Sequence, residues 1–308
     1  MDEPLRRYLN ELVAAAGAVL GGRLRGAYVA GSVGLAAYQP GRSDVDVALV
    51  CADPLGRTTA GELVTRLRHE ALPCPARGLE LVVYRPEVAR SGTPEPGFEV
   101  ELNTGARMDF RVSYGPADRP AADGLFWYGL DRSILHQSGR ALLGPPAAEA
   151  FADLAPDDLR RLLVDAVRWW LDRPIPPGDG PAPGAEDAVL GACRSWVRVH
   201  HGVWLPKVAA GRRLLADARA TPADTTPPAD TTTPADTATP ADGRPTPADG
   251  PGAPADAGWL ADAAVTDLVE RSIAARGGGT PPSGAAARSF QRRVLAALTA
   301  PPHRHRSG

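Results

Sequence analysis

Cysteine is scarce, with only Cys51, Cys74 and Cys193 in 308 residues, scattered and odd in number. That does not suit the disulfide framework of a small secreted protein, and the spacing forms no zinc knuckle. Long apolar runs are also absent, none reaching the roughly 18 residues a membrane-spanning helix needs. The chain opens on acidic residues and an amphipathic stretch instead of a basic and then apolar leader, so a cytoplasmic protein is expected. Neither sign of charge dominates: 34 Lys and Arg stand against 36 Asp and Glu, for a formal charge of -2. Without a broad basic field a polynucleotide substrate is disfavoured.

The length accommodates two ordinary domains, each with its own core. Leu5, Tyr8, Leu9, Leu12, Val13 and Ala16 recur at steps of three and four, which predicts an amphipathic helix ending near Gly21-Gly22. Short strands are predicted at Gly26 to Ala30, Asp44 to Val50, Leu79 to Tyr84 and Met108 to Val112, with helices over Thr59 to Glu70 and Leu125 to Leu135. This order gives an α/β unit carrying a mixed sheet. Beyond Gly144-Pro145-Pro146 the pattern turns helical: Leu159, Leu162, Leu163, Ala166, Trp170 and Leu171 draw one apolar stripe. Further helical blocks follow at Asp187 to His200, Trp259 to Ala275 and Ala285 to Thr299. The expected organisation is an α/β (α+β) domain over residues 1–146 and an all-α domain over residues 147–308.

Pro-Ala-Asp triplets begin at Pro222, Pro228, Pro234, Pro240, Pro247 and Pro254. This insert, about residues 219–257, has almost no large apolar side chain to bury and so cannot offset its ordering entropy; a disordered surface loop is expected. A basic tail with His303 and His305 reads as a frayed end.

The most informative stretch is Gly31-Ser32 followed, after a loop, by Ser43-Asp44-Val45-Asp46-Val47. Residues two apart on a strand share a face, so Asp44 and Asp46 present paired carboxylates while Val45 and Val47 enter the core. Such a pair repels itself unless a cation lies between, and hard oxygen donors suit Mg²⁺. A glycine at a strand end lets the backbone approach a phosphate, and the serine hydroxyl with nearby N–H groups can hold its oxygens. Glu80 lies within the apolar strand Leu79-Glu80-Leu81-Val82-Val83-Tyr84, where a carboxylate needs a partner or a task. Set beside Asp44 and Asp46, it could act as a general base. Taken singly, each of these could be an edge residue or a turn; their order and spacing join them.

At these residues the sequence resembles the polymerase-β-like nucleotidyltransferase superfamily, and within it the aminoglycoside 3''- and 9-adenylyltransferases. The resemblance covers roughly residues 20–210, including Ala141-Leu142-Leu143-Gly144-Pro145 at the domain junction, Arg194-Ser195-Trp196, and Gly202 to Pro206-Lys207. It implies an N-terminal nucleotidyltransferase domain followed by a helical domain. It further implies that Asp44 and Asp46 ligate Mg²⁺, that Glu80 is the base, and that Ser32 and Ser43 touch the triphosphate of ATP. By the same resemblance Asp131 contacts the nucleotide, while Arg194 and Lys207 neutralise its phosphates. The chain departs from the family in its Pro-Gly-Asp-Gly-Pro loop, in lacking an aromatic near Ala275, and in the Pro-Ala-Asp insert.

The expected activity is transfer of AMP from ATP to a hydroxyl of an aminoglycoside or aminocyclitol, with pyrophosphate leaving. Asp172, Asp179, Glu186 and Asp187 are candidates for meeting a cationic sugar, with Trp170 stacking on it. Two alternatives remain: the same chemistry on a protein, a tRNA or another metabolite, and a non-catalytic nucleotide-binding partner.

Overall fold

The computed structural model describes residues 1–174, 176, 178–220 and 257–300. Residues 221–256 of the Pro-Ala-Asp insert and the tail from residue 301 lie outside the described residues.

The first helix, α1 (Glu3–Leu20), is capped by the Asp2 carboxylate, which accepts from Leu5 N–H at 3.0 Å. It leads into β1 (Leu24–Val29), a one-turn helix α2 (Gly31–Gly34), β2 (Val45–Cys51), α3 (Arg57–Leu67), β3 (Leu79–Tyr84) and the short α4 (Pro86–Ala89). Then come β4 (Phe98–Gly105), β5 (Met108–Ser113), α5 (Phe126–Ser138), β6 (Arg140–Leu143) and α6 (Ala147–Ala150). The six strands form one mixed sheet in the order β5-β4-β3-β2-β1-β6, in which β2 and β3 are parallel and the other pairs antiparallel.

Two strands fall outside the sequence expectation. β4 alternates Phe98, Val100, Leu102 and Thr104 with Glu99, Glu101 and Asn103. β6 occupies four residues of the anticipated domain junction and pairs with β1 as an edge strand.

The alternation of β2 and β3 gives the sheet two different faces. Val45, Val47, Leu49, Leu79, Leu81 and Val83 point into a core closed by α1 and α3. Asp46, Ala48, Val50, Glu80, Val82 and Tyr84 occupy the opposite face, where Ala48, Val50 and Tyr84 cluster with Tyr128 and Leu135 of α5 and with Phe151. A register shift between Val83 and Tyr84 brings Phe98 onto this second face, stacked on Tyr128 at 4.4 Å between centroids.

The remaining elements are helices: α7 (Pro156–Asp172), α8 (Ala185–His201), α9 (Lys207–Ala220), α10 (Ala263–Arg276) and α11 (Gly284–Thr299). Of these, α9 lies outside the expected helices. α8 is central, burying Val189, Leu190, Cys193, Trp196 and Val197 against α9, α10 and α11. A separate apolar cluster joins α5 to α7 through Phe126, Leu130, Ile134, Leu159, Leu162 and Leu163. Polar bonds reinforce the seam, for Ser133 Oγ donates to Asp153 at 2.5 Å and Arg198 reaches the same carboxylate at 2.5 Å. Among the described residues no helix is long and apolar enough to cross a membrane.

Candidate functional site

Asp46 and Glu80 are direct partners across the parallel β2–β3 ladder, so both carboxylates leave the sheet on the face that looks toward α5 and α8. Asp44 precedes β2 on the same side and receives Arg77 at 3.3 Å. From α5, Asp131 joins the group electrostatically. Burial, followed by the charges of Asp44 and Asp131, raises Asp46 far above the usual carboxylate range. Burial, with Asp46 and Asp44 as its next causes, raises Glu80 likewise. Asp131 is pushed up to about 7, by burial first and Glu80 second. These carboxyls crowd one another in a poorly hydrated place, a condition that a bound cation relieves.

The Gly31-Ser32 turn closes the site from above. Gly31 has φ +52°, and a Cβ built on it would fall 1.7 Å from Asp46 Oδ2, so the carboxylate occupies space that only glycine leaves open. Ala30 N–H donates to the Asp46 carbonyl at 2.9 Å, tying the turn to β2. The Ser32 hydroxyl is buried and has no hydrogen-bond partner among the described residues. Ser43 has a different setting, because its Oγ accepts from Gln39 N–H at 3.0 Å and so braces the loop between turn and strand.

The positive side comes from α8 and α9. Asp187, Arg194 and Arg198 are spaced by seven and four residues, one stripe on the face of α8 opposite its apolar core. Arg194 lies with its guanidinium 5.2 Å from the Trp204 ring, and its buried Nε and Nη2 lack partners among the described residues. Burial pulls Arg194 below its ordinary value, while Asp131 and Asp46 pull it back. Lys207, the first residue of α9, is also lowered by burial and also counteracts the shift of Asp46. Buried, unpartnered guanidinium nitrogens beside a crowded acid group are suited to an anion that brings its own cation. Among the described residues no group of three or more His, Cys, Asp or Glu side chains forms a ready-made metal cage. Mg²⁺ needs fewer, since it binds through one or two carboxylates with water and phosphate oxygens completing its shell.

The fold has a counterpart among solved structures. The spectinomycin adenyltransferase AAD(9) from Enterococcus faecialis, in a structure with ATP and spectinomycin, matches over 96% of this chain and 99% of its own with a TM-score of 0.58 and 13% sequence identity. The chain has a nucleotidyltransferase fold. No family model matches the sequence, and no curated protein matches it either.

Within the nucleotidyltransferase fold, the structure gathers Gly31, Ser32, Asp44, Asp46, Glu80, Asp131, Arg194 and Lys207 around one region. Two anticipated acceptor residues have other engagements. Asp187 is held by Lys207 at 3.1 Å, by Arg42 at 3.3 Å and by Arg276, and burial notwithstanding these cations hold it down at about 2. Trp170 meets Trp169 edge-on at 5.3 Å, and Arg173 covers the Trp169 ring at 3.6 Å. Arg42 and Arg276 join the region beyond the sequence expectation. Arg42 adjoins Ser43-Asp44, a position that could have drawn notice, but nothing local marks Arg276 at the end of α10.

Proposed function

We propose that the chain transfers the AMP group of ATP to a hydroxyl of a small aminoglycoside- or aminocyclitol-type acceptor, with pyrophosphate leaving. The observation that carries this reading is the opposition of Asp46 and Glu80 to Arg194, two of whose guanidinium nitrogens lack hydrogen-bond partners among the described residues, with the Gly31-Ser32 turn against Asp46. Residues 1–146 would form the nucleotidyltransferase domain and residues 147–308 the helical domain.

In this reading Asp44 and Asp46 hold Mg²⁺, which when bound supplies positive charge against the phosphate oxygens and keeps both carboxylates ionised. Ser32 donates its free hydroxyl to a phosphate oxygen, and Ser43 keeps the adjoining loop in place. Arg194 and Lys207 balance charge on the departing pyrophosphate. Asp131 restrains Arg194 and faces the nucleotide. Glu80 accepts the proton of the acceptor hydroxyl as its oxygen attacks the α-phosphorus; the elevated pKa of its site makes the ionised form a stronger base.

A second reading keeps the chemistry and changes the acceptor. It is favoured by Asp187, already surrounded by cations, and by Arg173, whose guanidinium lies 5.5 Å from the ring of Trp170, the residue expected to stack on a sugar. The acceptor would then carry less positive charge than streptomycin. Incubation with ATP, Mg²⁺ and a panel including streptomycin, spectinomycin and neutral polyols, read by mass spectrometry, tests both. A gain of one adenylyl group on an aminocyclitol supports the first reading; a gain confined to another acceptor supports the second. ATP binding without transfer to any acceptor or release of pyrophosphate would remove the enzyme assignment.

A further inference from the structure

We propose that Arg276, with Arg42, belongs to the triphosphate-binding surface, and that Asp187 holds these cations in place of phosphate until the nucleotide arrives; the inference rests on the nucleotidyl-transfer reading above.

Three cations from three separate parts of the chain converge on one carboxylate. Arg42 comes from the loop before β2, Lys207 from the start of α9 and Arg276 from the last turn of α10. Glu186 adds one more negative charge, accepting from Arg42 at 2.6 Å. Arg194 lies on the same stripe of α8, about two turns further on, where its charge faces Asp131 and Asp46. Three positive groups thus share two neighbouring carboxylates. Such an excess in a partly buried place is costly unless a polyanion completes it. The unmet bonding capacity is visible as well, for Arg276 Nε is buried without a partner among the described residues, as are two nitrogens of Arg194.

The position of the excess indicates the polyanion. Lys207 and Arg194 both act on Asp46, so the positive region borders the acid group instead of lying on a remote surface. Arg276 also donates to Gln39 Oε1 at 3.2 Å, and Gln39 belongs to the loop leaving the Gly31-Ser32 turn. A triphosphate lying along that turn would place its outer phosphates within the set formed by Arg42, Lys207 and Arg276. Their present counter-ions, Asp187 and, for Arg42, Glu186, carry one charge each where a triphosphate has several, so exchange of Asp187 for phosphate is electrostatically favourable.

A purely structural clamp would give the opposite behaviour on removal of Asp187, which makes the two roles separable. Calorimetry on the full chain with Mg²⁺ and the unreactive analogue α,β-methylene-ATP compares wild type, Arg276→Gln and Asp187→Asn. Arg276→Gln should weaken binding about tenfold, while Asp187→Asn should tighten it several-fold. AMP, which lacks the outer phosphates, should bind wild type and Arg276→Gln alike. Weaker binding by Asp187→Asn, or unchanged binding by Arg276→Gln, overturns the inference and leaves nucleotidyl transfer standing. Absence of analogue binding to wild type removes both. If Asp187→Asn does not fold, hydrogen exchange on wild type decides: the analogue should speed exchange in residues 184–190 as Asp187 lets go, and slower exchange there overturns the inference.

Discussion

Gly31 yields the space of a side chain to the carboxylate of Asp46: a methyl group on Gly31 would stand 1.7 Å from Oδ2, well inside any permitted contact. The turn and the strand are therefore interdependent, and neither can be altered alone. Gly31→Ala should lose pyrophosphate release almost completely. Stability should fall by about 1–2 kcal/mol from the left-handed backbone alone. Urea unfolding and a pyrophosphate assay check the two effects, and a fully active Gly31→Ala would show that Asp46 need not occupy this position.

The acid group predicts an unusual pH profile for the ligand-free protein. Folding raises Asp46 and Glu80 well above the carboxylate range and Asp131 to about 7. At these three groups the native state binds more protons than the unfolded chain, so their contribution to stability is fully present below the ordinary carboxylate pKa and is lost as pH rises toward about 7 and beyond, whereas the contribution of Asp187, held at about 2, is lost as pH falls through the carboxylate range. Melting temperature should drop between about pH 5 and pH 8, as checked by scanning calorimetry. Asp46→Asn removes one of the repelling charges and should raise the value at about pH 8 by a few degrees while abolishing transfer, since about 1 kcal/mol shifts a domain of this size by roughly 2–4 °C.

Glu80→Gln keeps the shape of the side chain and removes its basicity. Turnover should fall by about 10²- to 10⁴-fold, the range for loss of a general base. ATP affinity should change little, because Arg194, Lys207 and the Gly31-Ser32 turn remain. Single-turnover kinetics with a separate ATP titration distinguish the two, and a collapse of ATP binding would show that Glu80 serves the nucleotide instead.

Arg132 is almost fully buried and donates to three backbone carbonyls, Thr93 at 2.7 Å, Glu95 at 2.6 Å and Pro96 at 2.8 Å. It thereby pins the segment before β4 to α5. Arg132→Met should lower stability by about 3 kcal/mol or more, since each stranded buried polar group costs about 1–3 kcal/mol. Denaturant midpoints measure this, and a loss under about 1 kcal/mol would mean that water replaces the guanidinium.

The elements with strong periodicity are legible from the residues. Leu5 to Ala16 define α1 and Leu79 to Tyr84 coincides with β3, because in both the apolar spacing follows the geometry of the element. β4 escapes the sequence expectation although its alternation is regular, and β6 escapes it because four residues beside Gly144 read more readily as a junction. The helix α9 has a weaker apolar pattern with Gly211 inside it, and its packing on α8 compensates for that glycine.

Local order alone determined that Asp44 and Asp46 share a face and that Gly31-Ser32 stands ahead of them, because strand alternation and chain order are properties of neighbours in sequence. Only the tertiary structure decided that Glu80 pairs with Asp46, that Asp131 and Arg194 approach them, and that Arg276 meets Asp187 across 89 residues of sequence. Those meetings depend on strand register and helix packing, and long-range electrostatic partners leave no periodic trace in the chain that carries them.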